Sequence, residues 1–279
     1  MYHRTGLYPN PLPFTPGLEG AGVIAGVGEG VSAFREGDRV CWTRVLGSYA
    51  ESAIVPQDQA VAIPPGVETR DAAAVMLQGL TAHYLCSSTY PLESGDSCLI
   101  HAAAGGVGLL LVQMAKEAGA RVFATVSTEE KADLAREAGA DEVILYTKED
   151  FLEAVRRLTD GKGVDVVYDG VGKATAEKSL DCLAPRGMMV FFGNASGPVG
   201  PIDPLVLSQK GSLFLTRPTL FHYIPDRVSL ERRSADVLNG VAMGELQVRI
   251  GATFPLADAA EAHRALEGRK TTGKVLLLP

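Results

Sequence analysis

The chain has 279 residues, 46% of them hydrophobic, enough for one large or two ordinary domains around a real core. A formal net charge of −7 argues against general affinity for nucleic acid or anionic lipid, both of which favour basic surfaces. The longest apolar stretches, such as residues 107–114, fall well short of the ~20 residues that span a bilayer, and residues 1–4 are not followed by an apolar signal core. A cytoplasmic globular protein with small-molecule partners is expected.

Residues 1–78 are rich in Gly and Pro, with short β-like runs at 22–27, 38–42, 50–55 and 60–63. Short strands with frequent turn residues suggest a small irregular barrel. The first helical pattern, starting at Thr69, reads as a bridge into the next domain. Residues 79–218 then alternate strands with helices of about ten or more residues, the pattern of a parallel sheet covered on both faces. The strands are read at 97–102, 121–126, 142–146, 164–169, 188–193 and 212–217. The helices are read at 106–118, 128–138, 150–158 and 173–183, with Gly119, Gly139 and Gly161 as stops. Residues 219–279 are helical near 228–239 and 257–266 and close on a strand at 274–278, which is expected to return to the first segment.

Four cysteines, Cys41, Cys86, Cys98 and Cys182, are scattered without C-x-x-C pairing, which indicates neither a disulfide framework nor a zinc knuckle. Cys98 and His101 stand three apart on a strand and so face opposite sides. They are not expected to share a metal.

The apolar strand at 97–102 runs through Ala102, Gly105, Gly106, Val107 and Gly108 into a helix. Such a turn aims free backbone N–H groups and the positive helix end at one point, which suits a pyrophosphate. The spacing is A-x-x-G-x-x-G rather than G-x-G-x-x-G, and small residues at a tight turn also serve packing alone. The following strand and helix complete the βαβ unit that a dinucleotide site requires. An NAD site places an acid at the tip of the second strand, but here that strand ends Thr125-Val126-Ser127. Ser127 and Glu130 read as a capping box, while Lys131 and Tyr146 are placed to hold a 2′-phosphate. Two charge-assisted contacts of about 1.5–3 kcal/mol each would favour NADPH by roughly a hundredfold or more. Lys131 as a solvated surface lysine is the alternative.

Residues 102–108, 127–131, 168–172 (Tyr-Asp-Gly-Val-Gly), 192–197 (Phe-Gly-Asn-Ala-Ser-Gly) and 209–218 closely resemble the zeta-crystallin-like NADPH:quinone oxidoreductases. These form part of the zinc-independent medium-chain dehydrogenase/reductase superfamily. The resemblance covers the chain from Tyr2 to Pro279. It implies an α/β protein whose central Rossmann domain, a doubly wound parallel sheet, is flanked by both parts of a GroES-like β-barrel substrate domain. The expected boundaries are 1–78, 79–218 and 219–279. Zinc-dependent relatives carry a His where this chain has Leu18, and leucine cannot coordinate zinc, so a reaction without metal is implied.

Carried over residue by residue, the resemblance implies pyrophosphate contacts at Gly106 and Val107, within a cofactor-binding turn that also includes Gly105 and Gly108. Ser127, Lys131 and Tyr146 surround the adenosine phosphate, and Val171, Gly193, Asn194, Ala195 and Ser196 line the ribose and nicotinamide. Tyr84, Phe214, Thr216, Arg217 and Lys274 complete the cofactor site, although Phe214 also fits sheet packing and Arg217 a surface cation. Tyr84 and Gln78 resemble cleft-lining residues, and Tyr2 is the candidate polar neighbour of a substrate carbonyl. The implied activity is hydride transfer from NADPH to a quinone. An enone or enoyl reductase of the same fold is the alternative substrate class, and a homodimer through the edge strand at 212–216 is expected. Family members have several dozen residues before the position of Tyr2, so the substrate domain is expected to be incomplete at its start. That keeps open a cofactor-binding protein without turnover, crystallin-like or RNA-associated.

Overall fold

The computed structural model describes residues 2–279. Two units are distinguished by their internal contacts, one made of residues up to Leu80 together with Tyr223–Pro279, the other of Thr81–His222. In the first unit β1 (Glu19–Val23) pairs antiparallel with β2 (Arg39–Thr43), which pairs antiparallel with β3 (Ala60–Ala62). The approach of β1 to β2 requires glycine, since a Cβ on Gly20 would lie 2.5 Å from the Trp42 ring. Val40, Trp42, Val45 and Ala60 form the local core. The expected strand at 50–55 does not form. Those residues pair with no neighbouring strand, and Ile54 is 95% exposed. An apolar-polar alternation gives a strand only where a partner supplies the ladder. The helix α1 (Thr69–Tyr84) continues into a π-helical turn, Leu85–Thr89, that the sequence did not reveal.

The second unit is built on six parallel strands: β4 (Ser97–His101), β5 (Arg121–Val126), β6 (Glu142–Leu145), β7 (Val164–Asp169), β8 (Leu183–Phe191) and β9 (Phe214–Thr216). Their order across the sheet is β6-β5-β4-β7-β8-β9, the doubly wound arrangement in which strand order reverses between β4 and β7. The connecting helices are α2 (Gly106–Glu117), α3 (Glu129–Glu137), α4 (Phe151–Leu158), α5 (Ala176–Asp181) and α6 (Pro204–Gln209). Positive φ angles at Gly119 (83°), Gly139 (106°) and Gly161 (78°) follow helix ends as expected. The short α6, capped by Asp203 onto the Leu205 N–H at 2.9 Å, was not foreseen. On one face of the sheet Leu99, Phe123, Val167 and Met189 pack with Phe151 and Leu180 of α4 and α5. On the other, Tyr168 is fully buried and turns its hydroxyl toward the carbonyls of Leu85 and Tyr90, at 3.3 Å each.

The chain then re-enters the first unit through α7 (Arg227–Met243), capped by Asp226 and ended at Gly244 (φ 75°). A Cβ on Gly79 of α1 would lie 2.8 Å from Val237 of α7, so glycine sets that helix contact. The strand β10 (Ile250–Pro255), missed from sequence, pairs parallel with β11 (Lys274–Leu278) across α8 (Ala259–Glu267). Lys274, 8% exposed, forms an ion pair with Glu19 of β1, whose other oxygen accepts the Leu77 N–H at 2.9 Å. This charged staple ties β1, α1 and β11 together within the unit.

Candidate functional site

The turn after β4 starts at Ala102, which adopts a left-handed φ of 53°. Its carbonyl accepts the Gly105 N–H at 2.9 Å, closing the turn, and the first bond of α2 runs from Leu109 N–H to the Gly105 carbonyl at 2.9 Å. Gly105 is the N-cap and brings no side chain to the helix end. The N–H groups of Gly106, Val107 and Gly108 therefore emerge from an N-terminus that no side chain caps. Gly108 is required by close approach, because a Cβ there would sit 2.5 Å from the Ala102 carbonyl oxygen and 2.6 Å from that of Ala103.

Beyond β5 the expected capping box between Ser127 and Glu130 does not form. Thr128, not Ser127, caps α3, its hydroxyl accepting the Lys131 N–H at 3.3 Å. Ser127 therefore stands outside the helix with its Oγ 3.4 Å from Lys131 Nζ. Of the two acids in the first turn, Glu129 pairs with Lys148 at 2.5 Å, and that bond holds its carboxyl below the usual range. The ladder pairing Val126 with Leu145 continues as a bond from Tyr146 N–H to the Val126 carbonyl at 3.2 Å, and Thr147 Oγ1 donates to the Ser127 carbonyl at 3.0 Å. The register of β5 and β6 thus sets the backbone of Tyr146, whose side chain is exposed, next to that of Ser127. The Ser127 hydroxyl and the Lys131 ammonium meet where an NAD site would carry an acid, a donor pair that fits a phosphate monoester.

The turns following β7 and β8 are zipped together. Ala195 N–H donates to the Gly170 carbonyl at 3.2 Å, Ser196 N–H to Val171 at 2.8 Å, and Lys173 N–H to Gly197 at 3.1 Å. The Ser196 hydroxyl is consumed in the same seam, donating to the Val171 carbonyl at 2.8 Å and accepting the Ala174 N–H at 2.9 Å. Backbone packing is close enough to demand glycine twice, since a Cβ on Gly193 would meet the Gly170 carbonyl oxygen at 2.5 Å and one on Gly172 that of Gly197 at 2.6 Å. Val171, Gly193, Asn194, Ala195 and Ser196 are therefore brought together. Phe214 and Thr216 share one face of the edge strand β9, with Arg217 exposed just beyond and donating to the Pro218 carbonyl at 3.0 Å.

The remaining sequence-derived candidates are not part of these turns. Tyr84, 2% exposed at the end of α1, presents almost no surface. Tyr2 is half-buried in the first unit, its ring edge-on to Tyr8 at 5.1 Å, and Gln78 is half-buried on α1 of the same unit. Lys274 is engaged by Glu19 as described. Cys98 and His101 do face opposite sides, His101 meeting Phe151 edge-on at 4.9 Å while burial and nearby Cys86 push the Cys98 thiol up.

The sequence matches two known families. Residues 106–224 match the zinc-binding dehydrogenase family and residues 1–65 the alcohol dehydrogenase GroES-like domain. Over its whole length the chain is 49% identical to a quinone oxidoreductase of Pseudomonas aeruginosa, covering 86% of that protein. It is 45% identical to a 2-haloacrylate reductase of Burkholderia, again over all of this chain and 86% of the relative. The chain belongs to the quinone oxidoreductase family. The structure of an Escherichia coli quinone oxidoreductase complexed with NADPH superposes on it with a TM-score of 0.97 at 45% identity, covering 100% of this chain and 86% of that one. Within the family frame, Leu18 offers no metal donor. Among the described residues no three His, Cys, Asp or Glu side chains lie close enough to hold a metal ion.

Proposed function

We propose that this member of the quinone oxidoreductase family transfers hydride from NADPH to a quinone or a related conjugated carbonyl, without a metal. The observation that carries the cofactor assignment is the joint placement of an uncapped glycine turn before α2 and the Ser127, Lys131 and Tyr146 group beyond β5. In this reading Gly106, Val107 and Gly108 bind the pyrophosphate through backbone N–H groups, and Gly105, whose own N–H closes the turn onto the Ala102 carbonyl, shapes that cradle. Ser127, Lys131 and Tyr146 bind the 2′-phosphate. Val171, Gly193, Asn194, Ala195 and Ser196 line the ribose and nicotinamide, with Phe214, Thr216 and Arg217 bordering the same cofactor, while Tyr84, with almost no surface, is assigned by resemblance alone. Lys274 as a further cofactor contact and Tyr2 as polar neighbour of the substrate carbonyl belong to the other unit and are assigned by resemblance. When bound, NADPH supplies the hydride from its nicotinamide C4, and the protein's part is orientation and exclusion of water. A quinone needs no general acid from the protein, because solvent protonates the reduced dianion.

The name of the 2-haloacrylate reductase at 45% identity favours one second reading, reduction of an activated carbon-carbon double bond. A homodimer joined through β9 is part of the proposal, supported by an edge strand with Phe214 53% and Leu215 37% exposed. A cytoplasmic location is supported by four free, buried cysteines, as expected in a reducing compartment. The test is to follow NADPH oxidation with 1,4-benzoquinone and with a simple enone, and NADH oxidation in parallel. Faster turnover with the quinone and with NADPH is expected. Turnover of the enone alone would shift the substrate class, and NADPH binding without oxidation of either would leave a binding protein.

A further inference from the structure

β4 and β7 flank the point where strand order reverses, and in doubly wound sheets the ligand sits beyond the carboxyl ends of these strands. The register pairs Ile100 with Tyr168, so the last residues of the two strands, His101 and Asp169, stand side by side beneath the cofactor turns. Both are buried, at 2% and 0% exposure. Neither figures in the proposed contacts.

The Asp169 carboxylate has four neutral donors. Oδ1 accepts the N–H groups of Val171 at 2.7 Å and Gly172 at 2.9 Å, and Oδ2 accepts the hydroxyls of Thr175 at 2.6 Å and Ser179 at 3.3 Å. His101 lies 2.9 Å from Ser179 Oγ through Nε2 and 2.9 Å from Thr125 Oγ1 through Nδ1. The Ser179 proton is committed to the carboxylate, so its oxygen accepts from His101 Nε2–H, and Nδ1 accepts from Thr125. Burial holds the imidazole below its usual range against the pull of Asp169, in keeping with this neutral tautomer. A one-way chain of hydrogen bonds therefore runs from Thr125 at the end of β5 through His101 and Ser179 to Asp169.

Stability gives a weak reason to keep this chain. A buried polar cluster is often matched or bettered by apolar residues of the same shape, and Leu99, Phe123 and Val167 beside it show that this face accepts them. What apolar residues cannot do is fix N–H groups. Asp169 clamps those of Val171 and Gly172. Its own carbonyl accepts Phe192 N–H at 2.9 Å and Gly193 N–H at 3.4 Å, while Val171 holds Ser196. The geometry of both turns at 170–172 and 193–197 converges on one residue with no surface of its own.

We propose that Asp169, held by Thr175, Ser179 and His101, is a positioning residue for the ribose-nicotinamide half of the cofactor, setting the turns that contact it without touching it. The inference rests on the NADPH reading above. It predicts a split between the two halves of the ligand, because the adenosine phosphate is held by Ser127, Lys131 and Tyr146 outside the clamped turns.

The test is calorimetric titration of wild type, Thr175→Val, Thr175→Ser and Asp169→Asn with NADPH and with adenosine 2′,5′-bisphosphate, with thermal unfolding of each. Thr175→Val is expected to weaken NADPH at least about fivefold and to leave the bisphosphate within about twofold, while Thr175→Ser, which keeps the hydroxyl, restores NADPH affinity. Asp169→Asn gives the same split more strongly. Should that variant not fold, the Val and Ser pair decides alone. Thr175→Val binding both ligands like wild type, or weakening both in step with its loss of thermal stability, overturns the proposal. Wild type binding neither ligand overturns the cofactor reading, and this one with it.

Discussion

Lys131 is the third residue of α3, where a cation opposes the positive end of the helix dipole at a cost of about 0.3–1 kcal/mol. Replacing it with alanine removes that repulsion and adds helix propensity, so Lys131→Ala should unfold at the same temperature as wild type or slightly higher. Ligand affinity should move the other way. A charge-assisted hydrogen bond to the 2′-phosphate contributes about 1.5–3 kcal/mol, and Lys131 is only half-buried, which argues for the lower part of that range. A loss of about 1.5–2 kcal/mol corresponds to roughly 10- to 30-fold weaker NADPH binding. NADH lacks the phosphate and should bind within about twofold of its wild-type affinity, as a ligand that never made the contact. Titrating both nucleotides at two salt concentrations checks the origin, because a partly exposed charge contact weakens with ionic strength. An unchanged NADPH to NADH affinity ratio in the variant would refute the assignment of Lys131, Ser127 and Tyr146 to the phosphate.

Gly108→Ala forces a Cβ to 2.5 Å from a backbone oxygen, so the turn must open. It should cost about 1–3 kcal/mol of stability and, unlike Lys131→Ala, weaken NADPH and NADH together by nucleotide titration. Lys274→Met leaves Glu19 without its cation in a pair whose side chains are 10% and 20% exposed. Breaking a buried pair costs about 3–5 kcal/mol, and partial exposure reduces this to about 2–3, readable as a lower urea midpoint. Asp141 accepts two bonds from Lys116 Nζ, at 2.8 and 2.9 Å, and the Val122 N–H at 2.7 Å. Burial raises its carboxyl, but these partners outweigh it and hold the folded value below 3.8. Its contribution to stability is therefore present above that value and lost as pH falls through the depressed one. Urea midpoints of Asp141→Asn measured from pH 6 downward should be lower than wild type at the start and fall less steeply below about pH 4. They should not become flat, because Asp150 and Asp226 are depressed too.

Much of the second unit was legible in the sequence, because strands and helices there are specified locally. Periodicity and the stops at Gly119, Gly139 and Gly161 placed the alternating elements, and the strands at 121–126 and 164–169 match residue for residue. The glycine turn before α2 and the absence of an acid after β5 were likewise visible, since each depends on residue type at a single turn. Where a strand needed a distant partner, local pattern failed in both directions. Residues 50–55 look like a strand and have no ladder, whereas β10 is a strand because β11 lies beside it.

The candidate site divides along the same line. Sequence suggested Ser127, Lys131 and Tyr146 as one group, but only the register of β5 against β6 sets the backbone of Tyr146 next to Ser127. Thr128 took the cap that Ser127 was expected to supply, a choice between adjacent hydroxyls that depends on where the strand releases the chain. The largest omission was the buried run from Thr125 through His101 and Ser179 to Asp169. No local pattern announces it, because its members come from β4, β5, β7 and α5 and meet only when the sheet order sets β4 beside β7. Residue type alone thus determined the kind of ligand this protein is built to hold, since a glycine turn and the absence of an acid carry their chemistry with them. Only the tertiary structure decided which buried polar groups fix the turns around that ligand, because hydrogen bonds between distant segments depend on register and strand order.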